Sequence, residues 1–267
     1  MKKVFLTGAS SGIGLATAQA LIARGDEVWG TSRNLIHLEN VQGVHPVRLD
    51  LSDSRSIDDG FKSALASAGY FDVVINNAGS GHFGPAEHLS DEEIQKQFQT
   101  LLFGHIQLMQ LAVAAMRARD SGLIINVTSL ASRLPVPFMA AYNAAKAAMA
   151  SFTMSIQLEL PDSKIRIVDL QPADICTAFN DAIPQSAEND PRYAARVAKT
   201  WDAVDRNMKN APKPELVAER ALRLIDSTNP PPRITVGDVF QSKIAPFIFR
   251  FLPQGVRNWG LKMYYGI

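Results

Sequence analysis

Residues 3–14, KVFLTGASSGIG, change character twice within one short stretch. Val4, Phe5 and Leu6 form an apolar run of strand type, and Thr7 to Gly12 is rich in glycine and hydroxyl groups. From Ile13 the chain carries helix formers as far as Arg24. A strand that feeds through a glycine-rich turn into a helix sets the helix N-terminus at the strand's carboxyl end. Free N–H groups and the helix dipole there favour an anion such as a pyrophosphate. Gly8, Gly12 and Gly14 allow the tight turn and the close approach of backbone to ligand. Ser10, Ser11 and Ile13 are candidate binding positions with them.

The same alternation continues along the chain. Strand-length apolar runs, KVFLT, EVWGT, VHPVRL, FDVVIN, GLIINVTS, KIRIVDL and RITVG, are separated for the most part by helical patterns at 13–24, 54–68, 91–118, 142–160 and 214–227. This predicts an α/β fold, a single doubly wound Rossmann-type domain with about seven mostly parallel strands and helices on both faces. The domain is expected to occupy residues 1–237, with a loop-like, polar region at 178–212 marked by Pro184, Pro191 and Pro212. The proline-rich stretch 229–233 reads as a stiff connector within it. Residues 238–267 form an aromatic, basic extension with little periodicity.

Bulk properties exclude several classes. With 267 residues, 20% charged, and a net charge of +1, no global field points to nucleic acid. The one cysteine, Cys176, excludes an intrachain disulfide and a cysteine-based zinc site, and no metal site is expected. The start, MKKVFLTGAS, has too short an apolar core for a signal peptide, and no uninterrupted apolar stretch reaches the ~18 residues of a membrane span. A cytoplasmic location is expected. Asn126-Val127-Thr128 matches a glycosylation sequon by chance, inside an apolar strand.

Residues 141–149, AYNAAKAAM, place Tyr142 and Lys146 one above the other on an alanine-rich helix. Taken with the other motifs, the pair makes the chain resemble the short-chain dehydrogenase/reductase superfamily over residues 1–237. The family's TG-x-x-x-G-x-G is matched at 7–14, N-N-A-G at Asn76 to Gly79, and Y-x-x-x-K at 142–146. Its serine falls at Ser129. The resemblance implies hydride transfer between a nicotinamide cofactor and a carbonyl or alcohol. Tyr142 would serve as the acid/base, and Ser129 would polarise the substrate oxygen. Lys146 would lower the tyrosine pKa and hold the nicotinamide ribose.

Further positions follow from the resemblance. Asp50 corresponds to the adenine-contacting acid, with Leu51 beside it, and Asn77, Ala78 and Gly79 pack along the cofactor. PADICT (172–177) corresponds to P-G-x-x-x-T, so that Pro172, Ile175 and Thr177 flank the nicotinamide and Ala173 replaces a glycine. Cys176 within it reads as a small buried residue. At the end of the second strand, where an NAD-preferring member carries an acid, this chain has Ser32 followed by Arg33. A guanidinium pairs with a 2′-phosphate, so NADP(H) is favoured over NAD(H).

One departure stands out. The family asparagine of F-x-x-N-x-x-G, on the helix after N-N-A-G, is here Leu101, in FQTLLFG (98–104). Leucine can neither donate nor accept a hydrogen bond. The alternative reading is therefore a catalytically weakened or inactive dinucleotide-binding or sensing protein. His105, one turn on, could face the same way.

Residues 233–267 hold five Lys/Arg, against the acid Asp238, and seven aromatics. Such a tail closes the substrate pocket, packs at a subunit interface, or attaches peripherally to a membrane surface. Each reading suits a hydrophobic small-molecule substrate, and LPVPFM (134–139) would line the same pocket. The resemblance also implies a homodimer or homotetramer paired through the helices at 91–118 and 142–160.

Overall fold

The computed structural model describes residues 1–184 and 190–267; part of the 178–212 region predicted as loop thus lies outside the described residues. Its sheet has strands β1 (Lys3–Leu6), β2 (Glu27–Ser32), β3 (Val44–Arg48), β4 (Val73–Asn76), β5 (Gly122–Val127), β6 (Ile165–Pro172) and β7 (Arg233–Val236). All pairs are parallel, in the order β3-β2-β1-β4-β5-β6-β7. Each matches a run identified in the sequence. The order reverses between β1 and β4, so a crevice opens at the carboxyl ends of those two strands.

Period-two alternation sorts the side chains. In β1, Phe5 enters one core with Trp29, Phe61, Phe71 and Met109, while Val4 and Leu6 enter the opposite one with Leu21, Val28, Val217 and Leu224. The first core is covered by α2 (Ser54–Ala68), α4 (Gly104–Arg117) and α5 (Ala140–Glu159). The second is covered by α1 (Gly12–Ala23) and α7 (Glu215–Asp226). Between α2 and α4 lies α3 (Asp91–Phe98), started by a Ser90–Glu93 capping box and joined to α4 by a π-turn at Gln99–Phe103. The run Asp91–Arg117 is long and apolar enough to cross a membrane. Leu108, Met109, Ala112 and Met116 are nevertheless buried in the first core, so it acts as a core helix.

The 178–212 region departs from its prediction as loop. It contains α6 (Ala194–Asn210), whose Val197, Thr200 and Ala203 repeat at helical spacing and are buried. Pro191 and Pro212 lie outside this helix, one on each side, so they delimit it rather than break it. Beyond β7 the chain forms a π-turn at Phe240–Ile244, then α8 (Ala245–Phe251) and α9 (Gln254–Tyr265). These close over the crevice beside α6.

Candidate active site

Every residue singled out for catalysis or cofactor binding lines one cavity of about 1150 Å³ at the carboxyl ends of the strands. Its floor is the β1–α1 turn. Gly8 (φ 71°) and Gly12 (φ 52°) occupy left-handed backbone, and a Cβ on Gly14 would lie 2.0 Å from the Gly8 carbonyl oxygen. Asn77 and Thr7 hold the turn from the side. Asn77 Nδ2 donates to the Thr7 carbonyl (3.0 Å), and Thr7 Oγ1 accepts from the amides of Asn77 (2.8 Å) and Ala78 (3.0 Å). Ser11 stands at the α1 N-cap without a side-chain cap bond, so the first-turn N–H groups are left to a ligand. This glycine cradle and its donors fit a dinucleotide pyrophosphate.

Arg33 is exposed and lines the cavity, as do His37 and Lys96. Asp50 lines the same cavity. Partial burial raises its pKa, but hydrogen bonds from the Ser52 hydroxyl (2.7 Å) and amide (2.9 Å), with the charges of Arg33 and Lys96, bring it below the ordinary value. Leu51 is buried next to it. The sequence reading missed His37 and Lys96, which come from a 3₁₀ turn and from α3 and line the same cavity as Arg33.

Ser129 follows β5, and its Oγ accepts from the Ala131 amide at 3.0 Å. Tyr142 and Lys146 project from α5, as their spacing requires. Lys146 Nζ donates to the Val127 carbonyl at 2.9 Å and lies 5.9 Å from the centroid of the tyrosine ring. Burial pulls the Lys146 pKa down to about 8, against the buried carboxylate of Asp169. Burial also pushes the Tyr142 phenol up; a hydrogen bond with Ser129 opposes this, and the charge of Asp174 adds to it. The sequence predicts a phenol lowered by its ammonium neighbour. The structure shows the reverse, because Lys146 is turned to a carbonyl and desolvation of the phenol dominates.

Behind Lys146, Asp169 accepts from Thr128, from Gln171 Nε2 (2.8 Å) and from Arg233 Nε (2.7 Å). No sequence motif marks this buried network across β5, β6 and β7. Leu101 sits in the π-turn, fully buried, with its Cδ2 3.1 Å from where a Gly79 Cβ would stand. His105 is buried with it. Burial and the charge of Lys146 draw its pKa to about 3, opposed by a hydrogen bond to the Ala78 backbone, and its Nε2 has no partner among the described residues.

Cys176 is exposed, not buried as its sequence neighbourhood predicts. Ile175 takes the inward position, and Cys176 turns outward, its amide bonded to the Pro212 carbonyl at 2.9 Å. Ala173, in place of the family glycine, is accommodated by Gly237, where a Cβ would lie 2.6 Å from the Ala173 methyl. Thr177 packs against Gly12 of the phosphate turn.

The far end of the cavity is apolar. Val204 and Met208 of α6 line it, with Ile248 and Phe249 of α8, Leu252 just after it, and Leu261 of α9. Ile248 and Val256 line the cavity and are also exposed to solvent, so its mouth is continuous with the outer apolar surface of these helices.

A family profile described as short chain dehydrogenase matches residues 2–188. The chain belongs to the short-chain dehydrogenase/reductase family. It is 30% identical over 266 residues to a 3-ketodihydrosphingosine reductase of Bacteroides thetaiotaomicron, covering 99% of this chain and 98% of the relative. It resembles the alcohol dehydrogenase of Thermococcus sibiricus complexed with 5-hydroxy-NADP at 26% identity and a TM-score of 0.74, over 90% and 97% of the two chains. A 3-ketoacyl-(acyl-carrier-protein) reductase from Brucella melitensis complexed with NADH is also 26% identical, with a TM-score of 0.74 over 87% and 94%. The protein is thus an oxidoreductase of this family, acting on CH–OH groups with a nicotinamide dinucleotide.

Proposed function

We propose that the protein is an NADP(H)-dependent reductase that interconverts a carbonyl and an alcohol on a long-chain, lipid-like molecule. One observation carries this reading: a single cavity joins the pyrophosphate cradle to Ser129, Tyr142 and Lys146 and then to an apolar vestibule. The Bacteroides relative, similar over nearly the whole chain, is named for a lipid ketone.

The nicotinamide, when bound, supplies or takes up the hydride. The chain's own groups manage the charge that develops on the substrate oxygen. Ser129 Oγ donates a hydrogen bond to that oxygen, and Tyr142 gives it a proton. The phenol is held protonated by its surroundings and donates only toward a strong developing alkoxide. Lys146, once turned from the Val127 carbonyl, places a cation beside the phenolate that remains and reaches the ribose. Pro172, Ile175 and Thr177 bound the nicotinamide side.

Arg33, with His37 and Lys96 lining the same cavity, supports a 2′-phosphate and so NADP(H). Residues 1–237 would be the catalytic domain and 238–267 an extension completing its pocket. Phe103, Met154 and Leu158 remain exposed on the two helical stretches that pair subunits in this family, which supports a homodimer or homotetramer. Work at a cytoplasmic membrane surface suits such a substrate. A second reading, a dinucleotide-binding sensor with weakened catalysis, is favoured by Leu101 alone.

The test is oxidation of NADPH and of NADH by a long-chain 3-ketone, with Arg33→Ala beside the wild type. The wild type is expected to prefer NADPH. Arg33→Ala is expected to raise KM for NADPH by ~10–100-fold, as loss of a charge-assisted pair implies, and to leave NADH nearly unaffected. Equal effects on both cofactors would remove Arg33 from the site. No turnover with either would favour the sensor.

A further inference from the structure

Strand β6 changes chemistry along one of its faces. Ile165 and Ile167 enter the first core, while Val168 and Leu170 enter the second. By the same alternation Asp169 and Gln171 continue the Ile165–Ile167 row toward the carboxyl end of the sheet, and both are buried, 1% and 0% exposed. Apolar residues there would extend the core. A buried carboxylate instead costs desolvation, and a buried ion pair contributes little net stability beside apolar residues of similar volume. Stability of the sheet therefore does not account for Asp169.

What its hydrogen bonds hold does. Ser129 stands at the start of the 3₁₀ turn Leu130–Ser132 that follows β5. Asp169 Oδ1 accepts from the hydroxyl of Thr128, the residue before Ser129. Asp169 Oδ2 accepts from Gln171 Nε2 (2.8 Å), which also donates to Ser132 Oγ (3.2 Å) at the far end of the turn. The Ser132 amide donates in turn to the Ser129 carbonyl at 3.1 Å. From β7, Arg233 Nε donates to the same Oδ2 at 2.7 Å, and Arg233 pairs in register with Asp169. Thr235, in register with Gln171, accepts from Arg133 Nη2 at 2.7 Å, just after the turn. The segment that carries Ser129 is thus gripped before and after by side chains of β6 and β7. Three donors converge on Asp169, a demand that two acceptor oxygens with no proton of their own satisfy. Val127, whose carbonyl accepts from Lys146 Nζ, directly precedes the gripped segment.

We infer that Asp169 is a positioning residue: through Thr128, and through Gln171 and Ser132, it fixes the turn that aims the Ser129 hydroxyl at Tyr142 and the substrate oxygen. Asp169 itself does not line the cavity among the described residues, so it acts through that turn. This rests on the proposed reductase activity and adds a residue to its machinery.

Structure and turnover test it separately. Asp169→Leu removes both acceptor oxygens at similar volume, and Arg233, whose side chain is 37% exposed, can turn to water. In its crystal structure the Ser129 hydroxyl is expected to be displaced by on the order of 1 Å. With a long-chain 3-ketone, kcat is expected to fall ~10–100-fold, as such a misplacement costs, while the Kd for NADPH holds. In Asp169→Asn the amide can donate to the Thr128 hydroxyl and accept from Gln171 and Arg233, so it is expected to recover most of the loss. In a Ser129→Ala background, where the aimed group is gone, Asp169→Leu is expected to lower kcat by less than about twofold. Should Asp169→Leu not fold, Thr128→Val cuts the same bond from the other side and is read in the same way. A Ser129 that keeps its place, an Asn variant as slow as the Leu variant, or a loss that persists without the Ser129 hydroxyl would overturn the inference. A displaced Ser129 in a protein whose wild type reduces no ketone would refute the reductase reading alone.

Discussion

Lys146 and Tyr142 are both held, by burial, nearer to their neutral forms than they would be in water. For the lysine the consequence for stability has a definite sign. Its pKa is about 8 in the fold against an ordinary value of 10.5, so between these the unfolded chain binds more protons. Its contribution to stability is therefore fully present above 10.5 and is lost as pH falls through about 8. Stability of the wild type relative to Lys146→Met is expected to rise from pH 7.5 to pH 10 by on the order of 2–3 kcal/mol. Denaturant unfolding at the two pH values measures it, and a constant difference would show that Lys146 is not desolvated. That Ser129, Tyr142 and Lys146 line one cavity was legible because motif spacing places them. The direction of the tyrosine shift was not, because it depends on how much water the folded pocket removes. Cys176 was misread for a related reason: strand-end alternation put Ile175 inward instead.

At the level of elements, period-two and helical patterns located the strands and the helices that cover them. α6 escaped detection because its prolines lie at its borders, and its apolar side holds only a few residues. α8 and α9 were hidden by having apolar residues on two sides, one lining the cavity and one facing outward. Phe247, Phe251, Trp259 and Met263 are each about two-thirds exposed (67, 68, 65 and 67%), far more than a packed face tolerates. Lys243, Arg250, Arg257 and Lys262 lie in the same segment of the chain, against Asp238. A second copy docked by a twofold axis would meet the same positive charge, whereas an anionic bilayer supplies the opposite one. These helices are expected to bind vesicles of phosphatidylcholine containing phosphatidylglycerol at least ~10-fold better than phosphatidylcholine alone, since each basic residue near such a surface adds about 1 kcal/mol. Flotation of the wild type beside a Phe247→Ser, Trp259→Ser variant checks this. A wild type that stays unbound, or a variant that floats equally well, would contradict it.

Over the whole molecule, the reversal of strand order between β1 and β4 puts the cofactor cradle where α5 can bring Tyr142 to its edge. The C-terminal helices then extend that crevice into an apolar vestibule. The sheet and cradle could be read from local patterns. The vestibule could not, because it joins α6 to helices some forty residues further on. The proposed chemistry makes Tyr142 the proton donor to a carbonyl bound in this cavity. It is tested by NADPH-dependent reduction of a long-chain 3-ketone by wild type and Tyr142→Phe, with NADPH affinity followed by nucleotide fluorescence. In Tyr142→Phe kcat is expected to fall by ~100–10,000-fold, the usual contribution of a positioned acid, while the Kd for NADPH changes less than about twofold. A Tyr142→Phe protein that binds NADPH normally and retains most of its turnover would contradict it.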